Sequence, residues 1–282
     1  MEVYMVLILS VGLISIFLVR KHNAQVLING QKEINQMNYN IVGLFFITVI
    51  FVFVTGFRYE VGTDYWSYRN LYETTKFSSL WEALNNQEPG INVIIWISFL
   101  IFDSPVTMFV IASLVTTILV LYGANIKKDN FFLIMMLYIF MGNFLNSFNA
   151  VRQSLAVAVV FAGHALAKRH WIIKYIIVVL IAFLFHQSAI VMLPILLASQ
   201  RKIDRKQITL LIIGTVAIGV LYQNIFVWLG ATDHGVEYFT RQINPIRVLV
   251  NFIPFLLCLI VPNRTVFFEK NKFYVNMALI NG

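Results

Sequence analysis

Residues 146–196 read NSFNAVRQSLAVAVVFAGHALAKRHWIIKYIIVVLIAFLFHQSAIVMLPIL, and the fold follows from this stretch. It carries two apolar runs, 153–167 and 171–185, and opens a third, 187–199. Lys168-Arg169-His170 separates the first pair and His186 the second. A helix crossing a bilayer needs about 20 mostly apolar residues, so these runs read as short spans, tilted or partly covered by neighbours. The small residues of LAVAVVFAGHALA suit close helix–helix packing.

The pattern extends in both directions, with further runs at 3–19, 40–57, 105–123, 130–146, 208–229 and 247–262, and another opening near 273. Of 282 residues, 59% are hydrophobic, 15% aromatic and only 12% charged, with mean hydropathy +0.78. A soluble domain carries about 25% charged residues. That deficit excludes a soluble enzyme, a nucleic-acid binder and a disordered scaffold. Strand-like alternation does not recur, which excludes a β-barrel. The expected fold is all-α: one polytopic integral membrane helical bundle spanning 1–282, with about 9–11 membrane segments. The run 3–19 lacks a preceding basic region and a following small-residue cleavage site, so it reads as a retained helix. The chain stops at Gly282 inside a new apolar run, which reads as a C-terminal truncation. Cys258, the single cysteine, lies within the apolar run Val248–Val261 and gives neither a disulfide framework nor a cysteine metal site.

The net charge of +8 needs no nucleic acid to explain it, because the positive-inside rule alone enriches Lys and Arg. Fifteen of the 21 basic residues cluster at 20–32, 127–128, 168–174, 201–206 and 264–272. An N-terminus outside puts all fifteen in the cytoplasm, provided Ile91–Phe102 is re-entrant; an N-terminus inside, with that run spanning, divides the charges equally well. The run has 12 residues, short for a span, which favours the first topology. Arg152, His186 and the loop 230–246 lie outside in either case.

The longest polar stretch is 58–90, RYEVGTDYWSYRNLYETTKFSSLWEALNNQEPG. Tyr65, Tyr68 and Tyr72 recur at helical spacing, as do Phe77, Leu80, Trp81 and Leu84. An external loop with two short amphipathic helices on the membrane surface is expected. Trp66 and Trp81 read as interfacial anchors, and Gly62 and Pro89-Gly90 as turns.

Polar residues at the mouths of apolar helices are costly, and therefore candidates for function. Arg58-Tyr59-Glu60-Val61-Gly62-Thr63-Asp64-Tyr65 follows a span and joins a fixed cation, a carboxylate and a permissive glycine; a solvated loop with an Arg–Asp pair is the plainer alternative. Arg152, beside Gln153, opens an apolar helix on the side that the basic clusters avoid. A cation at a helix N-terminus, among free N–H groups, suits an anion such as a diphosphate; a capping or snorkelling Arg is the alternative. His186 is a general base or phosphate ligand, or equally a hydrogen-bonded structural histidine. The loop 230–247 carries Asp233, His234, Glu237, Arg241 and Arg247 and suits a hydrophilic substrate. No GxxxxGK[ST], GxSxG or HExxH pattern occurs, against an ATP-driven transporter, a serine hydrolase and a zinc protease.

RYEVGTDYWSYRNLYE, then EPG, then the stretch quoted first, and finally NPIRVLVNFIPFLL resemble the EpsG family, Wzy-like membrane proteins of bacterial exopolysaccharide and capsule assembly. The similarity covers most of 40–260, and its Arg-Gln and Phe-His-x-Ser-Ala blocks stand at the expected spacing. The resemblance implies a GT-C-like bundle in the bacterial plasma membrane. It implies a glycosyltransferase that joins undecaprenyl-diphosphate-linked oligosaccharide repeat units into exopolysaccharide, capsule or O-antigen at the outer face. The chemistry needs cations for the leaving diphosphate and a base for the acceptor hydroxyl. It needs all four polar groups outside, in agreement with the first topology. The residues this implies are Asp64, Glu88 and His186 for catalysis, and Arg58, Tyr59, Thr63, Tyr65, Arg152, Gln153, Arg241 and Arg247 for substrate. No cofactor and no metal ligand is named, although Asp64 and Glu88 are oxygen donors of the type divalent cations take. Expected partners are the lipid-linked oligosaccharide, the bilayer, and a chain-length regulator and flippase of the same pathway. Two other classes remain open: a lipid-linked oligosaccharide flippase, and a non-catalytic scaffold of an export complex.

Overall fold

The computed structural model describes residues 4–16, 41–75, 77, 79–126, 130–166, 171–193 and 213. The expected spans 208–229 and 247–262, the run opening near 273, Arg241, Arg247 and Cys258 lie outside the described residues. The helices below belong to one compact unit, Met1–Ile190; a second unit covers Val191–Gly282.

Among the described residues every regular element is helical. The order is α1 (Tyr4–Ile16), α2 (Ile41–Gly56), α3 (Tyr65–Thr74), α4 (Leu80–Asn85), α5 (Pro89–Ile101), α6 (Pro105–Ile126), α7 (Phe131–Phe140), α8 (Asn143–Asn149), α9 (Val151–Leu166) and α10 (Trp171–Phe185), followed by a 3-10 turn, Gln187–Val191. Helix α6 is the hub, packed by α2, α3, α5, α7 and α9, while α10 lies on α9. The α9–α10 approach is set by Gly163, where a Cβ would stand 2.3 Å from a methyl of Val178.

Among the described helices, α6 is the one long and apolar enough to cross a membrane by itself. The others are shorter, and α2, α7 and α10 expose Phe45, Phe53, Leu133, Phe140, Ile173 and Leu180. A surface of this kind is solvated by lipid better than by water. The expected span 130–146 is not one straight helix: α7 and α8 meet at 47°. Gly142, at φ +79, supplies the left-handed residue that turns the chain there. Helix α5 has 13 residues, about 20 Å at 1.5 Å per residue, and Asp103-Ser104 returns the chain directly into α6.

The stretch 58–90 does form two helices. In α3, Tyr65, Tyr68 and Tyr72 all face inward, against Phe109 of α6 and Ile91, Ile94 and Ile95 of α5. In α4 the buried side chain is Ala83, whereas Leu80, Trp81 and Leu84 point outward. Pro89-Gly90 is no separate turn; the two residues form the first turn of α5, where proline's missing N–H costs nothing.

Candidate active site

Three residues far apart in the chain meet at the start of α5. Glu88 is its N-cap residue, at φ 53 and ψ 59. That left-handed conformation costs a non-glycine residue about 1–3 kcal/mol, and such strain concentrates at functional positions. The Glu88 backbone is held by buried Asn92, whose Nδ2 donates to the Gln87 carbonyl at 2.8 Å. The Glu88 carboxylate accepts from Nη1 of Arg152 on one oxygen. Its other oxygen faces Nδ1 of His186 at 2.9 Å and accepts from the Gln187 backbone N–H at 3.3 Å.

Local sequence explains why each partner is there. Val151 and Leu155 of α9 are buried against α3 and α5, and Arg152, between them, comes out at the rim. The Arg152 backbone N–H donates to the Tyr68 hydroxyl at 3.3 Å. Its guanidinium stands 5.7 Å from the Tyr68 ring centre. His186 directly follows α10, and the preceding Phe185 presses on Gly90, where a Cβ would stand 2.6 Å from the ring. Only glycine there lets the end of α10 close on the start of α5.

Exposure separates the three roles. The Glu88 side chain is 10% exposed, His186 31% and Arg152 42%. A carboxylate is an acceptor, so His186 meets it through Nδ1–H and turns Nε2 away from it. Through this contact Glu88 fixes the orientation of the imidazole. Arg152 gives Nη1 to Glu88 and also interacts with the Tyr68 hydroxyl, while its side chain stays 42% exposed.

The other expected residues divide between loop, core and groove. Asp64 precedes α3 without capping it; one of its oxygens accepts from the Thr63 hydroxyl at 3.2 Å. The Thr63 backbone N–H donates to Asn149 Oδ1 at 2.8 Å. Tyr59 is exposed. Tyr65 is 2% exposed and stacked on Phe109, so its ring serves the core rather than a ligand. Arg58 is 5% exposed, donates Nη1 to the Ser147 carbonyl at 2.9 Å and lies over the Phe109 ring. Burial pushes its pKa down to about 10, against a partial upward pull from Tyr68, Tyr65 and Asp64. Gln153 faces away from Glu88, into a groove of about 390 Å³ lined by Asn143, Asn146, Leu137, Val157 and Phe161.

Sequence reasoning missed Tyr68, Asn92 and Asn149 as supports of the site. An asparagine inside INVIIWISFLI was a visible signal, because a buried amide in an apolar helix has to find partners. Among the described residues no group of three or more His, Cys, Asp or Glu is placed to hold a metal ion.

A family model described as the EpsG family matches residues 41–281. No curated protein and no solved structure matches.

Proposed function

The chain belongs to the EpsG family, membrane proteins associated with polysaccharide biosynthesis, and on that footing we propose that it is a polymerase of lipid-linked repeat units. The single observation that carries this reading is the Arg152–Glu88–His186 constellation. In the reaction, His186 Nε2 takes the proton of an acceptor sugar hydroxyl. The freed oxygen bonds to the anomeric carbon of a second repeat unit, and the bond from that carbon to the undecaprenyl diphosphate breaks. The electron pair leaves with the diphosphate, where Arg152 meets the growing negative charge. Glu88 holds both partners and does not itself carry the proton. No nucleotide is consumed, because the diphosphate linkage is already activated. Tyr59, Thr63 and Asp64 form a polar rim suited to sugar hydroxyls, and Arg241 and Arg247 are assigned to phosphate or acceptor sugar. The site faces outward from the plasma membrane.

One observation favours a second reading. The broken helix at Gly142, with Asn143 and Asn146 beside it, is of the kind that transporters use around a substrate. The location of the blocked intermediate separates the two. Depleting the protein in cells should leave single lipid-linked repeats on the outer leaflet, detectable by a membrane-impermeant lectin or sugar oxidant. Single repeats confined to the inner leaflet would instead mark a flippase.

A further inference from the structure

A second polar site lies inside the bundle, between α2, α6, α7, α8 and α9. It is a cavity of about 10 Å³, room for roughly one water-sized body. Arg58 lines it, together with Thr55, Ser113, Thr117, Tyr138 and Ser154. Nε and Nη2 of Arg58 are fully buried and have no hydrogen-bond partner. Among the described residues no carboxylate stands within ion-pair distance of this guanidinium; Asp64, the nearest acidic influence on it, is partly exposed and bonded to Thr63.

A buried cation without a counter-charge is among the most costly groups that a fold can hold. A water molecule would satisfy the N–H groups and leave the charge uncompensated. The lining offers hydroxyls, which can donate to an anion, and no carboxylate, while the Arg58 charge repels metal cations. Room for roughly one water-sized body suits a monatomic anion better than phosphate or diphosphate. From these facts we propose that the Arg58 cavity binds one small monovalent anion of halide size, chloride under ordinary conditions. The ion closes the charge balance of Arg58 and so pins residues 58–64 to the end of α8, where Arg58 already holds the Ser147 carbonyl. The site is separate from the Glu88 constellation and is tested without reference to polymerisation.

The test uses the full chain, purified in detergent, at constant ionic strength so that general screening stays fixed. Its Tm is followed while sodium gluconate is exchanged for sodium chloride or bromide. A saturable rise in Tm is expected with either halide, as for any ligand that binds the folded state alone. Ser113→Ala and Thr117→Val, each removing a hydroxyl, should weaken the apparent halide affinity about tenfold while leaving Tm in gluconate nearly unchanged. Arg58→Gln should abolish the halide response. Should that variant fail to fold, the two hydroxyl variants and a bromide anomalous difference map carry the test, with a peak expected beside the Arg58 guanidinium. A flat Tm, a rise that Ser113→Ala and Thr117→Val leave unchanged, or an ordered water with no bromide peak would each overturn the proposal.

Discussion

Arg152→Lys is expected to lower polymer formation per molecule by on the order of 10²–10³, the usual effect of removing one well-placed electrostatic donor, while protein abundance stays at the wild-type level. Lys keeps the charge and can keep the link to Glu88, but it loses the planar fork that the proposed joint hold on Glu88 and phosphate oxygens requires. Exposure supports this outcome. Glu88 is nearly covered, whereas the Arg152 side chain is 42% exposed, so much of it faces outward rather than into packing. Arg152→Ala should be at least as inactive and somewhat less abundant, since Glu88 would keep only His186 and the Gln187 N–H. Quantified membrane protein and polymer from matched cultures decide the matter. A structural arginine would reverse the pattern, with low abundance and near-normal polymer per molecule.

Gly62→Ala is expected to act on folding rather than chemistry. Gly62 sits at φ +99, and a Cβ there would stand 2.2 Å from the Phe148 carbonyl oxygen and 2.9 Å from its carbon. Both atoms are backbone, so nothing flexible can yield. The segment is also tied on either side, by Arg58 to the Ser147 carbonyl and by the Thr63 N–H to Asn149. Displacing it therefore breaks two bonds and shifts the chain just ahead of Arg152. A loss of about 3 kcal/mol or more is expected, in the range of strained special positions, seen as a large fall in membrane-inserted protein. Gly142→Ala is the matched control. It has φ +79 with nothing within 4 Å of the added Cβ, so it should cost only the left-handed penalty, about 1–2 kcal/mol. Equal abundance of the Gly62 and Gly142 variants would refute the clamp between 58–64 and 147–149.

Periodicity made parts of this fold legible in advance. The tyrosines of α3 are buried at the spacing that marked them, and α2 and α6 fall close to the expected runs 40–57 and 105–123. Polar residues at helix ends were readable as candidates because apolar surroundings make them costly, and Glu88, Arg152 and His186 do converge. Which face each helix turns inward was less legible. In a soluble protein the polar face marks the outside, but lipid-facing and protein-facing sides are both apolar. Thus α4 turns Ala83 into the protein and leaves Leu80, Trp81 and Leu84, which spacing had marked as one apolar face, exposed, while Tyr65 stacks in the core rather than at a ligand. Arg58 looked like a rim cation because nothing local records that Phe109 and Phe148, from distant helices, fold over it. The Glu88 conformation was hidden as well: Glu-Pro-Gly reads as a turn, whereas its proline opens α5 and leaves Glu88 as a left-handed N-cap residue, with α10 packed on Gly90 beside it.

By the proposed mechanism, Glu88, Arg152 and His186 join repeat units with the lipid diphosphate as leaving group. Purified full chain, supplied with undecaprenyl-diphosphate-linked repeat units and no nucleotide, should form oligomers and release one undecaprenyl diphosphate per new linkage. His186→Ala and Glu88→Gln, each confirmed as folded by its Tm, should lose that release in parallel with the oligomers. Wild-type protein that forms no linkage, or His186 and Glu88 variants that release diphosphate at the wild-type rate, would contradict the account.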